Sequence, residues 1–215
     1  MRSLLIINPN TTVAMTEQMA AAAARRLPEG IGLEALTAER GAPVIASRES
    51  YAIAAEAVLE TYARARGPHC AVVIGCFGDP GLEALRALAR QPVLGLAEAS
   101  IREADALGEP FAILTMGRAW VEILNERVAL ASVKTPFVGV FAAEGTGLDV
   151  SRREAAVVAE LGRLAGAAVA SGARTLILGG AALTGIAERL SADARLIDCM
   201  DATVRAALRA PGLSP

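Results

Sequence analysis

Short runs of branched aliphatic residues alternate along the chain with longer, Ala-rich stretches in which apolar residues recur at helical spacing. The first kind of segment predicts strands at residues 4–7, 33–36, 70–76, 92–96, 111–115, 137–141, 175–180 and 195–198. The second kind predicts helices, among them 12–26, 155–170 and 185–190. Strands and helices in alternation predict an α/β fold of parallel sheets flanked by helices on both faces.

The strand pattern restarts near residue 111, and two Gly-rich segments indicate an internal repeat. VVIGCFGDPGLEAL (72–85) aligns with LILGGAALTGIAER (176–189). Such a repeat predicts two pseudo-symmetric lobes, and open α/β sheets bind ligands beyond the C-terminal ends of their strands. The active site is therefore expected in the cleft between the lobes. The aligned pairs are Gly75 with Gly179, Gly81 with Gly185, and Cys76 with Gly180.

The repeat also predicts how the chain is divided. Residues 1–100 are expected to form the first α/β lobe and 101–198 the second, with the change of lobe near 101–109. The final segment, 199–215, is expected to pack back on the first lobe. An aliphatic helix surface could support a homo-oligomer, and the sequence leaves the oligomeric state open.

Composition narrows the functional classes. Hydrophobic residues make up 53% of the chain and aromatic ones 3%, so the core is aliphatic; a net charge of −2 without a basic stripe argues against nucleic acid. The apolar runs are too short for a signal peptide or a membrane span, which predicts a cytoplasmic protein that binds no membrane. Three scattered cysteines and one histidine predict free thiols and no metal site. Nucleotide-binding motifs are absent from the sequence, and no cofactor is expected.

Cys76 is the strongest candidate for a catalytic side chain. It lies between Gly75 and Phe77, where a predicted strand ends and a helix is expected to begin. Backbone N–H groups at a helix start lower the pKa of a thiol. A thiolate there can take a proton from a carbon beside a carbonyl and return one. A buried structural cysteine is the competing interpretation. If Cys76 is reactive, it should be alkylated before Cys70 and Cys199.

The loop after the first strand is a candidate substrate site. It reads Asn8-Pro9-Asn10-Thr11-Thr12 and precedes a predicted helix. An Asn-Pro turn with a Thr cap explains it structurally. The same amide, hydroxyl and free N–H groups can also bind a carboxylate or an imide oxygen at a helix N-terminus.

The second lobe offers matching candidates. Thr115 and Met116 follow the strand that corresponds to the first one, and Phe77 belongs to the opposite wall of the cleft. Gly180 and Ala181 supply backbone donors suited to an oxyanion. Outside these loops, Arg48 could hold a substrate carboxylate as a fork, although a solvated arginine is the simpler interpretation.

NPNTT at 8–12, GCFGDPGL at 75–82 and LILGGAALTG at 176–185 together resemble the aspartate/glutamate racemase superfamily, most of all its hydantoin racemase branch. The resemblance implies a two-lobed, cofactor-independent isomerase that acts on an amino acid or a hydantoin. It also implies two cysteines, one on each face of the stereocentre. The first of them falls on Cys76, and the substrate loops fall on 8–12 and Thr115.

The sequence departs from that family at one position. The second family cysteine falls on Gly180, which has no side chain, so Cys199 or a bound water would have to serve the second face. A lyase needs only one proton donor, and Cys76 could protonate the enediolate left when a substituted malonate loses carbon dioxide. The third alternative is a non-catalytic protein that binds a small acid.

Overall fold

The computed structural model describes residues 2–210, with the backbone alone at residue 151. Eight strands lie within this range: β1 (Arg2–Asn8), β2 (Ile31–Thr37), β3 (Ala71–Ile74), β4 (Val93–Gly95), β5 (Phe111–Met116), β6 (Phe137–Ala143), β7 (Thr175–Leu178) and β8 (Arg195–Asp198). They form two parallel sheets with the orders β2-β1-β3-β4 and β6-β5-β7-β8. The two sheets therefore repeat one topology, and the predicted α/β fold with parallel sheets is confirmed.

Helices connect the strands. They are α1 (Val13–Ala24), α2 (Arg48–Arg64), α3 (Leu82–Leu88), α4 (Leu96–Leu107), α5 (Trp120–Ala131), α6 (Gly147–Arg152), α7 (Glu154–Ala170) and α8 (Cys199–Arg209). Two short 3-10 helices, Ala181–Leu183 and Ile186–Arg189, follow β7. Across residues 2–210 none of these helices combines the length and the apolar character that crossing a membrane requires.

β1 illustrates why the strand runs can be read from the sequence. Its residues Leu4 to Ile7 are fully buried, because a central parallel strand is covered on both faces. Leu4 and Ile6 belong to one apolar cluster, whereas Leu5 and Ile7 belong to a second on the opposite face. Both faces need apolar side chains, so the run is continuous rather than alternating.

α4 and α8 pack in one apolar core together with residues of both sheets. Ile101 of α4 and Val204 of α8 share one apolar cluster with Ile6 of the first sheet and Ile113 of the second. α8 packs against α1, α4 and β4. Residues 211–215, the end of the segment expected to pack back, lie outside the described residues.

Two local predictions, a helix over 185–190 and a strand over 70–76, differ from the structure. Residues 101–107, near the expected change of lobe, belong to α4. The helix predicted over 185–190 is a single 3-10 turn, because Gly185 has a φ of 85° and its N–H donates to the Asp198 carboxylate at 2.7 Å. The strand predicted over 70–76 ends at Ile74, and the helix expected directly after it begins only at Leu82.

Candidate active site

A cavity of about 70 Å³ lies beyond the C-terminal ends of the strands, between the two sheets. Residues from both halves of the chain line it, and most of the wall is apolar or backbone. The first half contributes Asn10, Met15, Val44, Ile45, Gly75, Cys76 and Phe77. The second half contributes Thr115, Met116, Trp120, Gly147, Gly179, Gly180, Ala181, Ala182 and Leu183.

Cys76 is the one cysteine among the lining residues, and it is 6% exposed. It follows β3 in a tight turn, closed by the Asp79 N–H donating to the Cys76 carbonyl at 3.0 Å. The prediction of a helix start at Cys76 is wrong, since α3 begins six residues later. The predicted lowering of its pKa is wrong as well. Burial raises the pKa of the thiol, and electrostatic interactions with Asp79 and Cys199 raise it further.

Asp79 is a buried acid that is not among the site residues predicted from the sequence. Its carboxylate accepts the N–H of Ala97 at 2.9 Å and of Glu98 at 2.8 Å, so it caps α4. Arg127 of α5 approaches it at 3.5 Å. Burial raises the pKa of Asp79 to about 6, against the opposing effects of Arg127 and the two N–H donors. A lone acid among glycines in GCFGDPG was the available signal.

The loop after β1 contributes one side chain to the cavity. Asn10 lines it, and its Nδ2 contacts the Met15 sulfur at 3.3 Å. Asn8 is fully buried and turns away, donating to Asn10 Oδ1 at 3.0 Å and Thr16 Oγ1 at 2.9 Å. The expectation that Asn8 faces the ligand is therefore not met, because its amide organises the loop.

Thr11 and Thr12 do not line the cavity either. The Thr11 N–H donates to the Ala42 carbonyl at 3.1 Å, and the Thr12 hydroxyl donates to the Pro43 carbonyl at 2.7 Å. These bonds hold the loop before α2, from which Val44 and Ile45 reach the cavity. The two threonines shape the site indirectly.

The second-lobe wall is built from a strand end and a Gly-rich turn. The Thr115 hydroxyl donates to the Gly179 carbonyl at 2.6 Å, which leaves its oxygen free to accept a proton from a ligand. Met116 lies beside it in the wall. Within residues 2–210, the Ala181 N–H makes no hydrogen bond to the protein, whereas a backbone hydrogen bond from Gly180 lowers the pKa of the Cys199 thiol. The Ala181 N–H is a donor available to a ligand oxygen.

Aromatic residues form a part of the wall that the sequence did not predict. Trp120, the first residue of α5, lines the cavity, and Tyr51 of α2 meets its ring edge-on at 6.2 Å between centroids. The Tyr51 hydroxyl donates to the Gly78 carbonyl at 2.6 Å. Burial raises the pKa of Tyr51 to about 12, so the phenol is neutral.

Two predicted site residues lie outside the cavity. Arg48 forms a two-pronged ion pair with Glu126 on the surface, with both N–O distances at 2.6 Å. Cys199 is fully buried at the start of α8, and its thiol donates to the Gly180 carbonyl at 3.6 Å. Burial raises the pKa of Cys199. The backbone of Gly180 therefore stands between this thiol and the cavity.

A profile of the Asp/Glu/Hydantoin racemase family matches residues 4–207. The chain belongs to this family. It is 35% identical over 216 residues to hydantoin racemase from Paenarthrobacter aurescens, covering 95% of this chain and 89% of that protein. The solved allantoin racemase from Pseudomonas fluorescens superposes with a TM-score of 0.92 at 27% identity, covering 96% of this chain and 89% of that one. These relatives indicate a racemase, and hence an isomerase.

A more distant likeness supports the fold of this racemase-family chain alone. A mutant of arylmalonate decarboxylase superposes with a TM-score of 0.70 at 17% identity, covering 100% of this chain and 94% of that one. That decarboxylase therefore shares the fold of two lobes with parallel sheets.

The cavity of this racemase-family member has a neutral wall. None of the described residues that line it carries a charged side chain. Across residues 2–210, histidine, cysteine and acidic side chains form no group of three that could hold a metal ion. A neutral ligand with hydrogen-bonding edges is the complement of such a wall.

Proposed function

We propose that this chain racemises a neutral cyclic ureide of the hydantoin type, with Cys76 as the acid/base on one face of the stereocentre. The observation that carries the proposal is the position of the Cys76 thiol in a cavity whose other lobe presents the free N–H group of Ala181. An acidic C–H beside a carbonyl needs a proton-transfer group at carbon and donors at oxygen.

The backbone donor has a defined task in this reaction. Removing the proton from the ring carbon sends negative charge onto the neighbouring carbonyl oxygen. A hydrogen bond from the Ala181 N–H to that oxygen would stabilise the carbanion in a site shielded from water. A ring N–H of the ureide could donate to the Thr115 oxygen, and the second proton of the Asn10 amide could donate to a carbonyl.

The protonation state of Cys76 determines whether it first donates or accepts a proton. Because burial raises its pKa, the thiol is the resting form, and it acts as the proton donor. In a full turnover, a group on the opposite face takes the substrate proton, and Cys76 delivers its own proton to the near face. The stereocentre is then inverted. The starting state returns when the Cys76 thiolate takes up a proton from water and the opposite group releases one, or when the opposite enantiomer reacts in the reverse direction.

The mechanism also needs a group that takes the substrate proton on the opposite face. Cys199 and a bound water are the two candidates. Cys199 lies behind the Gly180 carbonyl, so the Gly180 peptide would have to turn aside for the thiol to reach a substrate. A water that fits between the ligand and the Gly-rich turn needs no such movement.

The size of the cavity and the state of the thiols support two further parts of the proposal. About 70 Å³ suits a small ring rather than a nucleotide or a bulky cofactor, so the reaction is proposed to be cofactor-independent. The three cysteines are free thiols, which supports a reducing compartment such as the cytoplasm.

Decarboxylation is the second candidate, and Gly180 is the observation that favours it. In that reaction the C–C bond to a carboxylate breaks, carbon dioxide leaves, and the Cys76 thiol protonates the enediolate; water then reprotonates the thiolate. One proton donor is sufficient. The neutral wall argues against it, because a malonate dianion would be bound without a cationic partner.

Proton exchange in D2O separates the candidates. Chiral 5-substituted hydantoins, amino acids and substituted malonates are incubated with the protein and followed by NMR and chiral chromatography. Deuterium incorporation with inversion in a hydantoin is the expected result. Incorporation with retention would restrict the enzyme to one face, loss of carbon dioxide would establish a lyase, and the absence of all three would favour a binding protein.

Two serine variants complete the experiment. Cys76→Ser should fold and lose nearly all turnover, because an alcohol is a far weaker acid than a thiol. Cys70→Ser is the matched control, since Cys70 precedes the same strand but does not line the cavity. Full activity in Cys76→Ser would refute the assignment.

A further inference from the structure

The turn that carries Cys76 is fixed by a buried charge. Asp79 is 1% exposed, and its φ of 57° lies in the left-handed region, which is unusual for a residue other than glycine. Its N–H closes the turn on the Cys76 carbonyl at 3.0 Å. A residue held in this conformation persists only where its surroundings fix it.

The surroundings of Asp79 come from several elements at once. Its carboxylate accepts both N–H bonds at the start of α4, and Arg127 of α5 approaches the same group. It also fills the space where a Cβ on residue 95 would stand, which explains glycine there. One carboxylate therefore ties the Cys76 turn to a helix of the first half and to a helix of the second.

We propose that Asp79 is a positioning residue for Cys76, which fixes the cysteine turn between α4 and α5 and sets how readily the thiol gives up its proton. The inference rests on the proposed role of Cys76. It extends that role, because the resting state of the acid/base would then depend on a carboxylate that touches no substrate.

The charged groups around Asp79 determine the direction in which each substitution should change the acidity of Cys76. The groups that face it are Arg127, the neutral phenol of Tyr51, Glu98 and Cys76 itself. An ionised Asp79 opposes a second negative charge on Cys76 and so favours the thiol. Arg127 offsets the Asp79 charge, so removing the acid and removing the arginine should affect Cys76 in opposite directions.

Alkylation of Cys76, read by peptide mass spectrometry across pH, tests this without turnover. Asp79→Asn should increase the rate at about pH 8, on the order of tenfold for each unit by which the pKa of the thiol falls. Arg127→Gln should lower the rate, and Arg127→Lys should restore it. Glu83→Gln is the matched control: Glu83 also pairs with Arg127, at 3.1 Å, but its side chain is 69% exposed, and the profile should not change.

Opposite shifts in the two variants are a result that a purely structural role does not produce, because loosening of the turn would expose Cys76 in both. Acceleration in both, or no change in Asp79→Asn, would overturn the proposal. If a variant does not fold, the unmodified protein decides. Its logarithmic rate should rise with pH, flatten near pH 6 where Asp79 ionises, and rise again. A straight profile would refute the coupling, whether or not the protein proves to be a racemase.

Discussion

The ring of Phe77, in the first half of the chain, lies directly on the backbone of Gly179, in the second. A Cβ built on Gly179 would stand 2.7 Å from ring atom Cδ1 and 2.8 Å from Cζ, closer than side chains approach one another. The cysteine turn and the Gly-rich turn are therefore in contact across the cavity. The next residue, Gly180, has no such neighbour, and the two adjacent glycines differ in what they tolerate.

This difference predicts opposite outcomes for two alanine variants. Gly179→Ala should push Phe77 and the adjoining Cys76 aside and cost about 1–3 kcal/mol of unfolding free energy. Gly180→Ala should cost about 0.5 kcal/mol or less, because its Cβ would meet only Leu183, at 3.4 Å and beyond. Urea unfolding of both proteins measures the difference. Equal destabilisation would contradict the contact between the two turns.

The structure predicts the order in which the cysteines react. Cys70 is partly exposed, whereas Cys76 and Cys199 are buried and burial raises the pKa of both thiols. Iodoacetamide at neutral pH should therefore label Cys70 first and Cys199 last, which replaces the order expected from the sequence. A hydantoin ligand should slow the labelling of Cys76 alone. Labelling of Cys76 ahead of Cys70 would mean that the cavity is more open than the structure shows.

Asp79 makes stability depend on pH in a defined window. Its pKa is about 6 in the folded protein, above the ordinary value of 3.8, so folded chains retain a proton that unfolded chains have released. Stability should consequently fall as pH rises between those values and then level off. Relative to Asp79→Asn, the unmodified protein should lose on the order of 2 kcal/mol between pH 4 and pH 7. Parallel stability curves for the two proteins would contradict this.

Much of the architecture could be predicted from the sequence because its central strands are buried on both faces. The run at 4–7 is apolar throughout, and the Gly-rich repeat indicated two sheets of like topology. α4 was missed for a physical reason. Its N-terminal cap is not local: Asp79 supplies it, whereas the residue before the helix is Gly95. A helix whose cap is distant in sequence lacks the usual start signal.

The chemistry at Cys76 was harder to predict than its location. The strand end and neighbouring glycines placed it at the edge of the sheet, but the state of its thiol depends on what covers it. Phe77 and Trp120 close the site, and the second is more than 40 residues away in sequence. Burial of this kind arises from tertiary packing, and it outweighed the helix-start effect that the local sequence suggested.

Gly180 offers a direct test of the pseudo-symmetry. It aligns with Cys76 in the repeat and lines the cavity from the other lobe. Its φ of 163° is extended backbone that any residue adopts, and a Cβ there meets Leu183 at ordinary contact distance. A cysteine should therefore be accommodated, and its thiol would add a second proton-transfer group to the site.

Gly180→Cys should accordingly increase the rate of inversion of a 5-substituted hydantoin relative to the rate of deuterium exchange, because two-sided proton transfer no longer depends on a water or on Cys199. Chiral chromatography and NMR of the same samples give the two rates, and Gly180→Ser controls for added volume. If inversion does not increase in a folded variant, either the new thiol points away from the substrate or another group already serves that face.

Cys199→Ala in the unmodified protein separates these cases. Loss of inversion with exchange intact identifies Cys199 as the second base. Unchanged inversion excludes it, and a bound water on the Gly180 side then becomes the group that completes the reaction.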